Sequence, residues 1–82
     1  MTKKRDQLLA DKIDTAEHLV RSIDLGGYEF QWLMDLHLAE QTIGSAIRTG
    51  VEKARAEGAT WQEIADRLGL NSRQAAEARY GA

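Results

Sequence analysis

The sequence predicts an all-α protein. Proline is absent, twelve of the 82 residues are alanine and β-branched residues are few, so backbone propensity favours helix along the chain. Apolar side chains also recur at spacings of three and four positions, which is the period of a helix with one buried face. We expect one or two long N-terminal helices, at about residues 2–24 and 28–57, followed by two short helices within residues 60–80.

The first helix is predicted from an apolar stripe near the start of the chain. Its members lie four, three, four and three positions apart and share one face: Leu9, Ile13, Ala16, Val20 and Ile23. Gly26 and Gly27 are expected to end the helix, because glycine readily adopts the left-handed conformation that follows many helix ends. We therefore place the helix at residues 2–24 and a turn at the glycine pair.

A longer apolar stripe predicts a second helix over residues 28–57, which would span roughly 45 Å at 1.5 Å per residue. One face carries the following residues: Trp32, Leu36, Ala39, Ile43, Ala46 or Ile47, Gly50 and Ala54. Glycine inside a helix costs about 1 kcal/mol relative to alanine. The helix therefore either continues through Gly44 and Gly50 or bends near one of them, and we expect it to continue.

Residues 58–80 contain the strongest local signals for helix ends. Thr60 followed three positions later by Glu63 is a capping-box sequence, in which each side chain satisfies a backbone N–H at the helix start. Gly69 is expected to close this helix, and Asn71 or Ser72 to cap the next one. The residues expected to face inward are Trp61, Ile64, Ala65 and Leu68 in the first short helix, and Ala75 and Ala78 in the second.

This block resembles the helix-turn-helix of bacterial and phage DNA-binding regulators. In that motif an alanine in the first helix allows the second helix to cross closely, and Ala65 stands at this position; Gly69 stands four residues later, at the turn. The positions that should be apolar are filled by Ile64, Leu68, Leu70, Ala75 and Ala78. The block is particularly similar to small actinobacterial regulators and to the promoter-reading region of sigma factors. The resemblance covers residues 61–80 of the 82.

The resemblance implies that the second short helix enters the DNA major groove with its N-terminal residues at the base edges. The residues expected to contact bases are Ser72, Arg73, Gln74, Ala76 and Glu77. Arg73 would bridge the two acceptors of guanine, and Gln74 would favour adenine. The residues expected to contact the phosphate backbone are Gln62, Arg67, Asn71, Arg79, Lys53 and Arg55. Taken singly, each arginine is equally consistent with a solvated helix face.

We therefore expect a sequence-specific transcriptional regulator that binds double-stranded DNA. Within one domain, residues 1–57 would be a dimerisation scaffold and residues 58–82 the DNA-binding part. A homodimer is expected because the N-terminal stripe needs a partner, and because two recognition helices about 34 Å apart would read two major-groove faces. Phe30 is expected to point away from Trp32 and to join the dimer surface. The expected interface residues are Ile13, Ala16, Val20, Ile23, Phe30 and Leu33.

Composition argues against several other classes of protein. The chain has no cysteine, which removes disulfides and thiolate metal ligands and fits a reducing cytoplasm. His18 and His37 lie on different predicted helices, and no nucleophile motif or glycine-rich phosphate loop is present. We expect no enzyme activity, metal, cofactor or small-molecule ligand. A targeting segment needs an unbroken apolar run after a basic start, but charged residues interrupt that run here. We therefore expect no targeting segment, no membrane association and a cytoplasmic, nucleoid-associated location.

The charge distribution leaves a second class of function open. The formal net charge is −2, but residues 1–47 carry five basic and eight acidic side chains, whereas residues 48–82 carry six basic and five acidic ones. Nucleic-acid binders often have a larger basic surplus than this. The alternative is a helical protein-interaction module that binds a transcription or phage protein, in which the helix-turn-helix is purely structural.

Overall fold

In a computed structural model, the described residues, 2–27 and 29–81, form four α-helices: α1 (Thr2–Arg21), α2 (Gln31–Ala56), α3 (Trp61–Leu68) and α4 (Arg73–Tyr80). The predicted all-α class is confirmed. α2 continues through Gly44 and Gly50 without a break, as expected. Within the described ranges, no helix combines the length and the apolar character that a membrane crossing requires.

The chain divides into two compact units, Met1–Ile47 and Arg48–Ala82, which we call the N-terminal unit and the C-terminal unit. The boundary falls inside α2, earlier than the predicted junction at residues 57–58. The reason is that the last turns of α2 pack with the short helices, since Val51 belongs to the same apolar cluster as Ile64.

The first helix ends at Arg21, before the predicted end at residue 24, because Asp24 organises a turn. The backbone N–H of Gly26 donates to Asp24 Oδ1 at 3.0 Å. The N–H of Gly27 donates to the backbone carbonyl of Asp24 at 3.2 Å. A short polar side chain that bonds its own backbone two residues later favours a turn over a further helical turn.

The second helix begins later than predicted, at Gln31 rather than at residue 28. Glu29 and Phe30 have positive φ angles, 36° and 63°, and so cannot belong to a right-handed helix. Because Phe30 precedes the helix, its ring meets Trp32 edge to face, with centroids 6.4 Å apart. The prediction that Phe30 points away from Trp32 is therefore wrong. Tyr28, the predicted first residue of this helix, lies outside the described residues.

The N-terminal unit leaves most of its large apolar side chains accessible. Among its described residues, Ala16 and Ala39 alone are buried. Four of the predicted interface residues are about half exposed or more: Ile13 at 51%, Val20 at 49%, Leu33 at 55% and Phe30 at 71%. Ile23 is half-buried, and Ala16 is already covered by the chain itself.

The C-terminal unit has a buried centre of its own. Val51 from α2, Ile64 and Ala65 from α3, and Ala76 from α4 form one cluster of buried apolar residues. Partly buried residues pack around it: Ala54, Ala59, Trp61, Leu70 and Tyr80. The end of α2 therefore belongs with α3 and α4 as the third helical segment around one core.

Candidate nucleic-acid interface

The predicted capping box starts α3. The Thr60 hydroxyl oxygen accepts from the Glu63 backbone N–H at 3.1 Å, and Glu63 Oε1 accepts from the Thr60 backbone N–H at 2.9 Å. The backbone hydrogen bond from Thr60 is the main cause that lowers the pKa of Glu63 below its ordinary value of 4.5, followed by the Thr60 side chain and then by the charge of Arg67. The start of α3 is thus determined locally, as the sequence predicts.

Gly69 turns the chain between α3 and α4. Its φ of 70° and ψ of 25° are left-handed, a conformation that glycine adopts at little cost. The N–H of Gly69 donates to the Asp66 carbonyl at 3.4 Å, and the N–H of Leu70 donates to the Ala65 carbonyl at 2.9 Å. This is the hydrogen-bond pattern of a Schellman motif. It ends α3 and directs Leu70 onto the core of the C-terminal unit.

Ser72 starts α4. Its backbone is extended, and its hydroxyl oxygen accepts from the Ala75 backbone N–H at 3.1 Å. Of the two residues predicted to cap α4, Ser72 therefore forms the cap, whereas Asn71 is exposed. The structure gives the Ser72 hydroxyl oxygen a structural role in the cap. Its O–H group can still donate, so the contact of Ser72 with a base stays a prediction.

The buried face of α4 differs from the prediction. Ala76 is fully buried and Ala75 half-buried, whereas Ala78 is exposed. The predictions that Ala76 contacts a base and that Ala78 faces inward are therefore wrong. Tyr80 explains the orientation: it is the one large apolar side chain among the residues of α4, and it packs against the core four positions after Ala76.

Two alanines allow α3 and α4 to approach each other. Ala65 and Ala76 each have no exposed surface, and the two helices pack directly together. A larger side chain at either position would push the helices apart, because protein cores have little spare volume. The predicted role of Ala65 as the close-crossing residue agrees with this packing.

Arg48, which the sequence did not single out, holds the end of α4. Its Nη1 donates to the backbone carbonyl of Arg79 at 3.3 Å, and its guanidinium carbon lies 5.4 Å from the centre of the Tyr80 ring. A cation is favourable at the C-terminal end of a helix, where the carbonyl groups carry partial negative charge. The contact joins residues 31 positions apart, so no local sequence signal indicates it.

The exposed side of α4 carries the remaining predicted base-reading residues, Arg73, Gln74 and Glu77. Arg73 and Glu77 lie one helical turn apart, and Gln74 lies next to Arg73. Within the described part of the chain, the side chains of Arg73 and Gln74 have no hydrogen bond, ion pair or ring contact. Their donors and acceptors are therefore available to a ligand.

The predicted phosphate-contacting residues of α3, of α4 and of the turn between them are all exposed: Gln62, Arg67, Asn71 and Arg79. The Gln62 amide donates to Asp66 Oδ1 at 2.9 Å. Arg67 lies close enough to Glu63 to lower the pKa of that carboxyl group. These contacts are exposed and exchange readily with solvent, so they do not prevent a phosphate contact.

The two predicted phosphate contacts from α2 have partners at the turn that leads into α3. Lys53 forms an ion pair with Glu57. Arg55 donates from Nη1 to the Ala59 carbonyl at 2.8 Å, and its guanidinium carbon lies 4.6 Å from the centre of the Trp61 ring. The structure thus assigns Arg55 a role in holding this turn, and the cations of α4 and α3 are the better candidates for DNA contact.

The two histidines belong to the N-terminal unit. Both are exposed, and His37 Nδ1 lies 3.9 Å from Glu40 Oε1. Among the residues with described positions, no three histidine, aspartate or glutamate side chains are grouped to hold a metal ion.

Comparisons of the chain with protein-family models, with curated proteins and with solved structures find no match.

Proposed function

We propose that the chain is a sequence-specific DNA-binding transcriptional regulator that places α4 in the major groove. The observation that carries the proposal is the pair of side chains at the start of α4. Arg73 and Gln74 are exposed and have no intramolecular partner in the described part of the chain. The backbone beneath them is held by the Ser72 cap and by burial of Ala76. Because the backbone is fixed and the side chains of Arg73 and Gln74 are exposed and unpaired, this part of α4 is suited to recognise base edges.

The side chains of this surface match the chemistry of base edges. A guanidinium such as that of Arg73 can donate to both the O6 and N7 acceptors of guanine, and a carboxamide such as that of Gln74 can pair with adenine. Glu77 lies one turn from Arg73 and either accepts from cytosine or orients the guanidinium. Each good bidentate contact contributes about 1–3 kcal/mol of discrimination against the wrong base.

Phosphate contacts would supply much of the affinity. Arg67 and Arg79 are exposed cations on α3 and α4, and Gln62 and Asn71 are exposed hydrogen-bonding groups beside them. At about −0.9 per neutralised phosphate, two phosphates per copy predict a slope of about −1.8 per copy in a plot of log binding constant against log salt, and about −3.6 for a dimer. A slope of this size suits the small basic surplus of residues 48–82.

The proposal includes a homodimer. One recognition helix of eight residues, α4, reaches few base pairs. A two-fold pair would read two half-sites about 34 Å apart. The ratio of its affinities for the correct and the wrong sequence would then be the square of the ratio for one copy. A nucleoid-associated location follows from the same proposal.

A protein-interaction module is the second candidate function. The observation that favours it is the exposed apolar surface of the N-terminal unit, where residues such as Ile13 and Phe30 are accessible. In that case the long helices would bind a protein of the transcription machinery, and α3 and α4 would only complete the fold.

Selection of random-sequence DNA duplexes by the full protein, at low and at near-physiological salt, tests the proposal. Enrichment of one sequence at the higher salt is the expected result. Binding without enrichment would contradict sequence-specific reading. No binding at either salt would contradict DNA binding altogether and would favour the protein-interaction module.

A further inference from the structure

The helical pair of the N-terminal unit has one apolar side and one polar side. On the apolar side, α1 and α2 border a groove of about 530 Å³ that we call the apolar groove. Its walls include Leu9, Ile13, Val20, Ile43 and Ile47. The opposite side is lined mostly by polar residues, among them Asp11, Lys12, Thr15, Gln41 and Thr42. Only one side of this helical pair is therefore suited to burial.

The N-terminal unit does not bury the large apolar residues of the groove in a core of its own. The residues that this unit buries, among those described, are the alanines Ala16 and Ala39. Ile13, Val20 and Ile43 are instead 51%, 49% and 44% exposed. Removing an isoleucine or valine side chain from water is favourable, so leaving several of them exposed along a continuous groove is unfavourable.

We propose that a second copy of this chain covers the apolar groove, so that two α1–α2 pairs form a four-helix bundle. A mostly apolar face can pack against a second copy of itself, which is the requirement for a two-fold symmetric interface. The proposal concerns the N-terminal unit alone and holds whether or not the protein binds DNA.

The size of the face agrees with what a stable dimer needs. α1 has 20 residues, and a helix of that length is about 30 Å long. Two adjacent helices, each about 10 Å across, present a face of roughly 600 Å². Two such faces bury about 1,200 Å² together, which lies at the lower end of the range for stable protein interfaces.

The charges at the edge of the groove also permit self-association. Glu17 and Arg21, both of which line it, form an ion pair of 2.8 Å on successive turns of α1. The pair has no net charge, so two copies can approach without repulsion between like charges. Exchange of partners across the two-fold axis would keep both groups paired.

Sedimentation velocity of the full-length protein at micromolar concentration tests the proposal. We expect a dimer. Ile13→Glu, which adds a charge to the groove, should weaken dimerisation at least 100-fold, whereas Thr15→Glu adds the same charge to the polar side and should leave it within about threefold. A monomeric wild type, a larger assembly, or equal loss in the two variants would overturn the proposal.

A milder variant guards against loss of folding. Ile13→Ala removes apolar atoms without placing a charge and should weaken dimerisation at least tenfold while the helical circular dichroism at high protein concentration is kept. If Ile13→Ala dimerises as the wild type does, the groove is not the dimer surface and the proposal is wrong.

Discussion

The two units of this chain bury their apolar side chains to different extents. The C-terminal unit buries small residues, Ala65 and Ala76, between closely packed helices and adds Ile64 and Val51 to the same cluster. The N-terminal unit has longer helical segments and more large apolar residues, but these stay accessible. Helix length and apolar content therefore do not by themselves make a core; a third helical segment does so in the C-terminal unit, and we propose that a second copy does so in the N-terminal unit.

The connections between helices also differ between the two units. Those of the C-terminal unit use residues suited to their conformation: Gly58 and Gly69 take the positive φ angles, and Thr60 and Ser72 cap the next helix. In the N-terminal unit, the left-handed conformation falls on Phe30 and on its neighbour Glu29. Such conformations cost about 1–3 kcal/mol for residues other than glycine. The C-terminal unit is thus stabilised locally, whereas the N-terminal unit contains a strained connection.

The largest expected effect compares one isoleucine in each unit, Ile64 and Ile13. Ile64→Ala should lower the free energy of unfolding of the C-terminal unit by about 2–5 kcal/mol at every protein concentration, because Ile64 is buried within the chain. Ile13→Ala should destabilise the N-terminal unit at micromolar but not at nanomolar protein concentration, because the partner that buries Ile13 is then absent.

Tryptophan fluorescence during denaturation follows each unit separately, since Trp32 lies in the N-terminal unit and Trp61 in the C-terminal unit. Replacing one of them by phenylalanine leaves the other as the reporter. Equal destabilisation by Ile13→Ala at both concentrations would contradict the contrast between the units.

The next effect concerns the turn between α3 and α4. Gly69→Ala should lower the free energy of unfolding of the C-terminal unit by about 1–2 kcal/mol, because alanine is strained at this left-handed φ. Apart from Gly69 itself and its two chain neighbours, no residue has an atom within 4 Å of the added methyl group, so the loss comes from the backbone alone. Gly50→Ala is the matched control: it lies in α2 with equally open space, and helix propensity predicts stabilisation by about 0.5–1 kcal/mol. Urea denaturation of both variants measures the change in the free energy of unfolding, which should be negative for Gly69→Ala and positive for Gly50→Ala.

A smaller loss of stability is expected at the starts of α3 and α4. Thr60→Ala removes the hydroxyl that accepts from the Glu63 N–H and should cost about 1 kcal/mol in urea denaturation followed by Trp61 fluorescence. Ser72→Ala should cost a similar amount at the start of α4. If neither variant loses stability, the caps do not hold the two helix starts.

The capping box also predicts a dependence on pH. The pKa of Glu63 is lower in the folded chain than its ordinary value of 4.5, so the folded state favours the carboxylate. Its contribution to stability is therefore complete above about pH 5 and is lost as the pH falls through the lowered pKa. Glu63→Gln, which cannot ionise, should lose less stability than the wild type over that interval. Equal acid dependence of the two proteins would contradict this role.

The sequence predicted those features that depend on neighbouring residues. Thr60, Glu63, Gly69 and Ser72 act within a few positions of themselves, and their capping and turn roles are all present in the structure. The predicted end of α1 at residue 24 is the exception, because the local turn made by Asp24 competes with the helical pattern that continues to Ile23. In each case the decisive contacts lie within the same short segment.

The orientation of α4 depended on contacts that the local pattern does not show. Its three alanines are equivalent by hydropathy, so Ala75 and Ala78 appeared as suitable for burial as Ala76. Tyr80 was the available signal, because a large apolar residue makes the residue four positions earlier the best candidate for the same face. The contact of Arg48 with the end of α4 had no such signal.

Fluorescence anisotropy with the preferred DNA duplex and with a scrambled duplex tests the DNA-binding proposal most directly. Arg73→Ala should reduce the preference for the preferred duplex by about 1–3 kcal/mol per copy, because it removes a base contact. Arg79→Ala removes the same charge from α4 but should weaken binding to both duplexes equally and leave the preference unchanged. If Arg73→Ala keeps the wild-type preference, or if the wild type shows none, α4 does not read DNA sequence and the proposed function is wrong.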